Sequence, residues 1–533
     1  MENNYMEKER VTMNIIPFNL RNNLKPKAKK MAYEIIQHNR TSQKPLVSII
    51  TPIFNNEKNI HHTVESVLNQ SIGHDHLEYI LIDDGSTDNT RNILIKYAEE
   101  YPSITLAFLK SNTGTPAFPR NLGMELATSP YLTFLDADDW LEKTGLEKLY
   151  SVLEETGDDY VVGRTIKMGM KQPKVMAEHE SCIDRRSVSP SSIPHIFHHL
   201  GPRARMIKSS IVKKHNLTFP EMKYAEDKQF FIDYLLHAKK ISTTTSTVYY
   251  LNRSDDNDHS LTKQTNVLKK MHCNMKVMHY FHQKKMEPEL KQMVMNRLYE
   301  FDCFNQFMHR YYTLRSDDSS YRIKTKDFFK RIAYIRTFRS ILNKTAKLNE
   351  DVANYVNEPI NHICYELFQK KQYKKIEELF KWHKEEKIKQ YVIKKNKACM
   401  ISPLMEPYHL IPIPMYAEVI KIYILDNKFH LHLKIAGDFL DTSAELLFRD
   451  RKAIDNEFSV KLSAVSFENA VVKLPISWFQ PFSSTVYSIF FRYKEYHKIH
   501  ILIPHSKAKV QFTDKKKYLF YTTNHHQLAL KVE

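Results

Sequence analysis

Short apolar runs alternate with amphipathic stretches over the first half of the chain. Residues 46–50 form a β-branched run typical of a strand that is buried on both faces. After it, Ile60, Val64, Val67 and Leu68 recur at helical spacing and predict a helix with one apolar face. Further strands are predicted at residues 77–82, 104–109 and 131–135, with helices between them. Strands that alternate with helices in this way predict a doubly wound, Rossmann-like and largely parallel α/β sheet.

The pattern changes twice further along the chain. Residues 266–402 are predicted to be a helical region and linker, because apolar residues between Leu290 and Met308 form one stripe at helical spacing. Over residues 403–533 the apolar period falls to two, as in the alternation of apolar and polar residues at 429–435. Short alternating runs of this kind predict an antiparallel β-sandwich.

Three local features belong to this last region. Asp426-Asn427 predicts a tight hairpin turn. His430 and His432 share one strand face, where they are either a metal-binding pair or solvated side chains. A stiff linker at the start of the region is predicted from four closely spaced prolines, which are Pro403, Pro407, Pro412 and Pro414.

Composition and charge indicate a folded protein with a basic surface. A chain of 533 residues exceeds what one core supports, so two or three units are expected. The net charge of +18 suits polyanions such as nucleic acid, anionic lipid or a phosphate-bearing polymer, and it is also compatible with a merely solvated surface. Residues 1–44 are a basic N-terminal extension, predicted to be a short helix or a mobile arm.

The cysteines and the hydropathy pattern indicate the compartment. The five cysteines lie far apart, which favours neither a disulfide framework nor a zinc site and suits a reducing environment. No signal peptide is recognisable, and no run of about 18 apolar residues predicts an integral membrane segment. We therefore expect a cytoplasmic protein, with peripheral contact at the inner face of the cell membrane as an alternative.

Three carboxylates crowd the end of the strand predicted at residues 131–135. They belong to Asp136, Asp138 and Asp139. Asp side chains at i and i+2 on a strand end can serve one hard divalent cation and one sugar hydroxyl, and Mg²⁺ or Mn²⁺ would complete its coordination with the oxygens of a diphosphate. The same residues can also be read as a helix N-cap with extra acidic side chains.

Two more polar segments follow predicted strands. In the first, Asp84 can accept a hydrogen bond from a base edge, and Gly85 permits close approach of a ligand to the backbone. The second contains Asn112 and Gly114 and leads to Arg120. The planar, positively charged guanidinium of Arg120 can donate two hydrogen bonds to a phosphate or a base. Ligands of doubly wound sheets bind beyond the carboxyl ends of the strands, so these segments predict one site.

These motifs, in this order, resemble those of the family-2 glycosyltransferases with the GT-A fold. The resemblance covers residues 45–265 and rests on residues 47–55, 82–88, 112–114, 117–121, 136–139, 219–220, 224–227, 249–253 and 259–262. It implies a GT-A catalytic domain, a nucleotide diphosphate-sugar donor (usually a UDP-sugar), inversion at the anomeric carbon, and Mn²⁺ or Mg²⁺ as cofactor.

The resemblance also implies roles for individual residues. Asp227 would be the general base. Asp138 would bind the metal, with His259 as its second protein ligand, although an incidental histidine in a mobile loop fits His259 as well. The nucleotide-sugar would be bound by residues from six of these motifs: Pro52, Asp84, Asn112, Arg120, Asp136, Ala137 and Arg253.

A family-2 domain followed by helices and a β-sandwich is similar to the enzymes that add N-acetylglucosamine to wall teichoic acid. In that group, C-terminal immunoglobulin-like modules mediate trimer formation. The similarity implies an anionic glycopolymer acceptor and a homo-oligomer, with a trimer favoured, although the helical region here is longer and the β region shorter than in that group. The Gln-x-x-Arg-Trp motif of processive synthases is absent, so single sugar additions are expected.

Two alternatives remain at this point. Within the same class, the acceptor would be a capsule or another surface glycan. In a different class, the chain would be a polyanion-binding scaffold with a degenerate transferase domain, a reading that the complete acidic triplet and the Glu226-Asp227 pair oppose. Nucleic acid is not expected as a partner.

Overall fold

An 11-stranded mixed sheet organises the described residues between Tyr33 and Asn252. The structure is a computed structural model that describes residues 32–37, 44–169, 173–253, 266–308, 321–346, 350–440, 444–453, 456–462, 470–503 and 509–533. The parallel part of the sheet runs in the order β4-β3-β2-β5, with β2 at Val47–Ile53, β3 at Leu77–Asp83, β4 at Ile104–Leu109 and β5 at Tyr131–Phe134. Past β5 the sheet continues through β10 (Arg205–Lys208), β7 (Tyr160–Met168), β11 (Ile241–Asn252) and β6 (Trp140–Leu141), with β8 (Lys174–Met176) and β9 (Arg185–Val188) at its flank.

Helices cover both faces of this sheet, which confirms the doubly wound GT-A prediction. They are α1 (Ile60–Leu68), α2 (Thr90–Glu100), α3 (Ala117–Leu126), α4 (Gly145–Thr156), α5 (Glu178–Ser181), α6 (Ser209–His215) and α7 (Glu226–His237). Ile49 of β2 packs with α1, α2 and α4 in one core, and its neighbour Ile50 packs with α3 and α7 in the other. A strand with apolar cores on both faces needs a continuous apolar run, and this is the pattern that the sequence shows.

Residues 33–37 of the N-terminal extension form a strand, where a short helix or a mobile arm was predicted. Tyr33–Gln37 forms β1, which pairs antiparallel with β4 at the edge of the sheet. The side-chain amide of Gln37 donates to the carbonyls of Tyr101 (3.2 Å) and Ile104 (3.1 Å). This edge strand is largely exposed to water, so its sequence has no continuous apolar run and was not predicted as a strand. The basic residues at 25–30 lie outside the described residues.

The helical region packs on the α7 face of the sheet and shares its core. Its helices are Val267–His282, Pro288–Asn296, a π-helix at Arg297–Met308, Tyr321–Ala346, Pro359–Gln369 and Tyr373–Glu385, with a short 3₁₀ turn at Val352–Tyr355. Leu298, Phe338 and Leu367 belong to the same buried cluster as Phe230 of α7. In the part of the chain that the structure describes, no helix is long and apolar enough to cross a membrane.

A small three-stranded sheet replaces the predicted proline linker. It consists of β12 (Tyr391–Lys394), β13 (Lys397–Ile401) and β14 (Leu410–Ile413). Lys395 and Asn396 turn the first hairpin with positive φ angles of 48° and 67°. Leu404, Tyr408 and Ile411 are buried in the same core as the helices. The segment with prolines therefore contributes to the core of the helical unit, and Ala398 and Ile413 also pack against Tyr416 and Ala436 of the sandwich. We place the boundary at Ile413, after the small sheet, and not at residue 402 as predicted.

Two antiparallel sheets form the described part of the chain after Ile413, as predicted for a β-sandwich. The smaller sheet contains β15 (Met415–Leu425), β16 (Lys428–Gly437) and β19 (Ala470–Pro475). The larger contains β17 (Glu445–Asp450), β18 (Glu457–Lys461), β20 (Val486–Tyr493), β21 (His497–His500), β22 (Lys509–Asp514), β23 (Lys516–Thr522) and β24 (Leu528–Val532). Both contribute to one apolar core. The predicted Asp426-Asn427 turn is confirmed, with φ angles of 48° and 57°.

Polar contacts join the sandwich to the first sheet. Glu178 of α5 lies 2.9 Å from the guanidinium of Arg449 and also pairs with Lys498. Arg185 of β9 pairs with Glu495, and His195 contacts the hydroxyl of Tyr496. The cross-contacts are thus mainly ionic and hydrogen-bonded, as in interfaces between separable domains.

Two truncations test the corrected boundary. A chain that ends at residue 413 keeps Leu404, Tyr408 and Ile411, whereas a chain that ends at residue 402 loses all three from the core. Because burial of one large apolar side chain contributes about 1.5–3 kcal/mol, we expect the shorter chain to be less stable by roughly 3 kcal/mol or more in urea unfolding. Equal unfolding midpoints for the two chains would contradict the boundary at Ile413.

Candidate active site

The loops after β2 and β3 are held together by side-chain hydrogen bonds. The backbone N–H of Asn55 donates to the hydroxyl of Ser86 (2.9 Å), and the N–H of Thr87 donates to the side-chain oxygen of Asn55 (2.8 Å). Asn56 donates in the same way to the hydroxyl of Thr90 (2.9 Å). These bonds fix the carboxyl ends of two neighbouring parallel strands as one surface, and Pro52, opposite Ile82 in the strand register, lies at its edge.

Asp84 is buried at this surface and is held by the loop after β4. Its carboxylate accepts hydrogen bonds from the N–H of Thr113 (2.9 Å), from the Thr113 hydroxyl (2.8 Å) and from the side-chain amide of Asn112 (3.3 Å). Burial raises the pKa of Asp84 to about 6; the Thr113 bonds work against this, and the neighbouring Asp83 adds to it. A further N–H donor, such as the edge of a nucleobase, would favour the charged form.

Gly85 is required by the close approach of two backbone segments. Its φ is +78°, a conformation that side chains disfavour. A Cβ atom at this position would lie 2.6 Å from the backbone nitrogen of Asn112 and 2.8 Å from the carbonyl carbon of Ser111. The predicted role of Gly85 in close approach thus has a structural counterpart, although the backbone that it approaches is that of the neighbouring loop.

The acidic triplet follows β5, and α1 holds its backbone. The hydroxyl of Thr63 lies 2.6 Å from the carbonyl oxygen of Ala137 and 2.8 Å from that of Asp139. Asp138 is partly buried, and the Asp136 side chain is 32% exposed. Two of the three carboxylates, those of Asp136 and Asp138, are therefore accessible at the end of the strand.

Asp139 has a structural position that the sequence did not predict. Its carboxylate accepts hydrogen bonds from the hydroxyl of Tyr249 (2.7 Å) and from the backbone N–H of Asn252 (2.7 Å). Burial, with the charges of Asp138 and Asp136, raises its pKa. Asp139 thereby ties the end of β5 to the end of β11, from which the chain continues to Arg253.

Arg120 is a buried cation between the acidic triplet and α7. One of its terminal nitrogens lies 2.7 Å from the Asp136 carboxylate, and the other lies 3.0 Å from the Glu226 carboxylate. Burial works to lower the pKa of Arg120, but the charges of Asp136 and Glu226 more than offset it and raise that pKa. Sequence alone suggested a phosphate or base contact for Arg120; the structure gives its guanidinium two carboxylate partners inside the protein.

Asp227 lies in the first turn of α7, next to the buried Glu226. Its carboxylate accepts a hydrogen bond from the N–H of Lys228 (2.7 Å), and its side chain is half-buried, which leaves it open to a ligand. Burial and the charge of Asp227 raise the pKa of Glu226 to about 7, and Arg120 opposes this. Ala225, before the helix, has a left-handed φ of 70°, and such strain recurs at functional sites.

The residue after Asp227 anchors the helix to the helical region. The ammonium group of Lys228 lies 2.5 Å from the Asp302 carboxylate and 2.7 Å from the side-chain oxygen of Asn274. Arg297 donates to the other Asp302 oxygen at 2.6 Å. Burial lowers the pKa of Lys228, although Asp302 counteracts it. Two cations around one buried carboxylate fix the start of α7, because a lone charge at this depth is strongly unfavourable.

The remaining predicted site residues are placed as follows. Arg253 directly follows β11, and its N–H donates to the carbonyl of Met168 (3.1 Å). His259 lies outside the described residues. Asp84 and Asn112 meet directly, and Asp136 connects to Glu226 through Arg120. Sequence reasoning assigned no role to Thr113, Asp139, Tyr249, Lys228 or Asp302, since only the fold brings the partners of each together.

The site suits a hard divalent cation in one respect. Asp136 and Asp138 offer only oxygen donors, which Mg²⁺ and Mn²⁺ prefer, and the carboxylates of the triplet repel one another without a cation. Within the described ranges, no group of three or more His, Cys, Asp or Glu side chains could hold a metal ion by itself. The two carboxylates fit an ion that takes its other ligands from elsewhere, such as the oxygens of a diphosphate.

The fold and the site are those of a GT-A-type transferase. The sequence profile of Glycosyl transferase family 2 matches residues 48–216. A relative, poly(ribitol-phosphate) beta-N-acetylglucosaminyltransferase TarP of Staphylococcus aureus, is 34% identical over 227 residues, which span 41% of this chain and 67% of that protein. The chain belongs to glycosyl transferase family 2.

Other similar proteins match over different extents. The poly(ribitol-phosphate) beta-glucosyltransferase of Bacillus spizizenii is 32% identical over 219 residues, which are 40% of this chain and only 33% of that protein. The match to the crystal structure of S. aureus TarS spans 92% of this chain and 85% of the TarS chain, with a TM-score of 0.55 and 16% sequence identity. The match to the crystal structure of TarS 1–349 in complex with UDP-GlcNAc spans 69% of this chain and 99% of the TarS chain, with a TM-score of 0.54 and 19% identity. These two structural similarities show that the chain has the same fold.

Two glycine substitutions test the close approach at Gly85. Gly157→Ala is the matched control, since its φ is also positive (+66°) but nothing lies within 4 Å of a Cβ there. Both variants should lose about 1–2 kcal/mol of stability to the left-handed conformation. Only Gly85→Ala should also push the Asp84 and Asn112 loops apart and weaken UDP binding at least about tenfold, because a clash with backbone cannot relax cheaply. Calorimetric titration with UDP measures this, and equal affinities in the two variants would contradict it.

Proposed function

We propose that the chain transfers a sugar from a UDP-sugar, with inversion and with the help of Mn²⁺ or Mg²⁺, to an anionic glycopolymer of the cell surface, with wall teichoic acid as the favoured acceptor. The observation that carries the proposal is the Asp136–Arg120–Glu226 chain of contacts, which joins the acidic strand end to the helix that presents Asp227. Donor-binding and base-presenting elements are thus held in one geometry.

The donor would lie along the carboxyl ends of β2, β3 and β5. Asp84 would accept from the base edge, with Pro52 and Asn112 beside it. Asp136 and Ala137 would face the ribose and the donor sugar, and Asp138 would hold the metal, with Arg253 close to the diphosphate. When bound, the cation would neutralise the charge that develops on the departing diphosphate.

Asp227 would take the proton from the acceptor hydroxyl. Inversion requires attack on the anomeric carbon from the side opposite the leaving diphosphate, so the base must lie across the donor from Asp138. Asp227 is on α7, a different element from the acidic strand end, and its neighbour Glu226 is committed to Arg120.

The relatives favour a poly(alditol phosphate) acceptor. TarP and the B. spizizenii enzyme both carry poly(ribitol-phosphate) in their names, but one transfers N-acetylglucosamine and the other glucose. The donor sugar is accordingly proposed only as N-acetylglucosamine or glucose, and a panel of UDP-sugars with UDP release as readout distinguishes them. A scaffold with a degenerate transferase domain would release no UDP with any donor.

The location and the assembly complete the proposal. The reaction would take place in the cytoplasm, at or near the inner face of the membrane. A homo-oligomer, with a trimer favoured, would form through the sandwich that follows Ile413. Light scattering of the full chain and of the chain that ends at residue 413 tests this assembly, because equal numbers of chains per particle would remove the sandwich from it.

Asp227→Asn is expected to separate catalysis from binding. The asparagine keeps an oxygen for the Lys228 N–H but cannot accept a proton, so turnover should fall by about 10²–10⁴-fold while UDP-sugar affinity is retained. Glu221→Gln, which removes an exposed carboxylate just before α7, is the control and should leave turnover unchanged. Turnover of Asp227→Asn within a few-fold of wild type would exclude Asp227 as the base.

Asp138→Ala is expected to remove the metal dependence of donor binding. In the wild type, UDP should bind more tightly with Mn²⁺ than after chelation, because the cation offsets repulsion between carboxylates and diphosphate. In Asp138→Ala the two affinities should converge, with the unfolding midpoint little changed, since the Asp138 side chain is only partly buried. Equal UDP affinity with and without Mn²⁺ in the wild type would contradict the metal assignment.

A further inference from the structure

The outer face of the small sheet in the C-terminal sandwich carries a group of basic and aromatic side chains. The register of β15, β16 and β19 places Lys421, His432 and Val471 in one row and Tyr423, His430 and Lys473 in the next. Their neighbours in sequence, such as Leu431 and Val472, are buried in the sandwich core. The side chains of these two rows therefore face away from the core; together with Lys428 and Lys434 on the same face of β16, we call them the basic face.

The centre of the basic face is an ordered aromatic stack. The rings of Tyr423 and His430 are parallel within 11°, with centroids 4.8 Å apart. The Tyr423 hydroxyl lies 3.3 Å from Nε2 of His432, and the ammonium group of Lys421 lies 4.9 Å from the Tyr423 ring centre. His430 is only 7% exposed, yet its Nδ1 has no hydrogen-bond partner among the described residues. A buried ring nitrogen of this kind is a polar group that a ligand can satisfy.

Positive charge accumulates here with little compensation. Lys421, Lys428 and Lys473 are exposed, and Lys434 is partly buried. Within the described residues of the three strands, the only outward carboxylate is that of Glu418, which lies directly across from Lys434 and accepts a hydrogen bond from Tyr416. The exposed Asp426 lies in the turn between β15 and β16. Burial lowers the pKa of His432, and His430, Lys421 and Lys473 lower it further, as expected where like charges crowd.

The spacing of the cations suits an extended polyanion. Residues two apart on a strand are about 6.5 Å apart, and neighbouring strands are about 4.8 Å apart, so the lysines form a grid of several charges across the sheet. Exposed Ile420 (58%) and Val471 (41%) lie beside the lysines and offer apolar contact to a carbon backbone. A chain of alditols joined by phosphodiesters carries negative charge at regular intervals along such a backbone.

We propose that the basic face binds a poly(alditol phosphate) chain away from the catalytic site and thereby retains the acceptor polymer between sugar additions. This inference rests on the proposed function for the identity of the polymer, but the surface is distinct from the site built around Asp136 and Asp227. Each lysine contact releases counterions, so binding is weakened by salt. Retention of the polymer raises the local concentration of acceptor hydroxyls, as in other multivalent binders.

The test uses the full chain with two pairs of charge reversals. The first pair, Lys421→Glu with Lys473→Glu, lies on the basic face. The matched control, Lys509→Glu with Lys515→Glu, makes the same change of charge at two exposed positions, one in β22 and one in the turn between β22 and β23. Binding of purified, unglycosylated poly(ribitol phosphate) is measured without donor at low and high salt. The first pair should weaken binding at least about tenfold and flatten the salt dependence, and the control should do neither.

Kinetics with acceptors of two lengths form the second arm. For long poly(ribitol phosphate), the first pair should raise KM with little change in kcat; for an acceptor of two or three units, it should leave both constants unchanged. A Lys421→Ala and Lys473→Ala pair should show the same effects more weakly, which excludes misfolding as their cause. If the wild type transfers no sugar to either acceptor, the proposed function fails, while the direct binding measurement still decides the role of the face.

Three results would overturn the proposal. The first is equal polymer binding by the wild type and the first pair. The second is an equal loss of binding in the control pair, which would mean that only total charge matters. The third is loss of binding to phosphatidylglycerol vesicles with polymer binding intact, which would identify a membrane surface as the partner.

Discussion

The position of Arg120 between two carboxylates is the constraint on which the rest of the site depends. Its guanidinium is buried, and each terminal nitrogen meets an acid from a different element, Asp136 after β5 and Glu226 at the start of α7. Removal of either acid would leave a buried charge partly unpaired, which typically costs several kcal/mol. The strand end and the helix cannot separate without this cost, so the carboxylates proposed for donor and base are held in a fixed relation.

The helical region fixes the position of α7 further. Lys228, one residue after Asp227, enters a buried network with Asp302 of the π-helix, and Arg297 completes it. The apolar cluster that surrounds α7 contains side chains from the long helices and from the segment up to Ile411. The catalytic unit of this chain therefore extends to about residue 413, well past the residues 48–216 that the family profile matches.

Sequence alone predicted the parts of the fold that local pattern determines. The parallel strands have apolar cores on both faces, so residues 46–50 and 77–82 could be predicted as buried strands. The turn at Asp426-Asn427 could be predicted from its residue types. Tyr33–Gln37 and the small sheet at residues 391–413 were missed, because edge strands and short hairpins carry little periodicity. In the site, the carboxylates were found from their crowding, but the pairing of Arg120 with Glu226 and the contact of Asp139 with Tyr249 join residues more than 100 positions apart. No local pattern encodes such contacts.

The most direct test of this account is a crystal structure of the Asp227→Asn variant with Mn²⁺ and an intact UDP-sugar. We predict that the diphosphate lies at the carboxyl ends of β2 and β5, with the metal on Asp138. Residue 227 should face the anomeric carbon from the side opposite the diphosphate, and Arg120 should remain bound to both Asp136 and Glu226. A nucleotide bound elsewhere, or an Arg120 that leaves Glu226 to contact the diphosphate, would contradict the account.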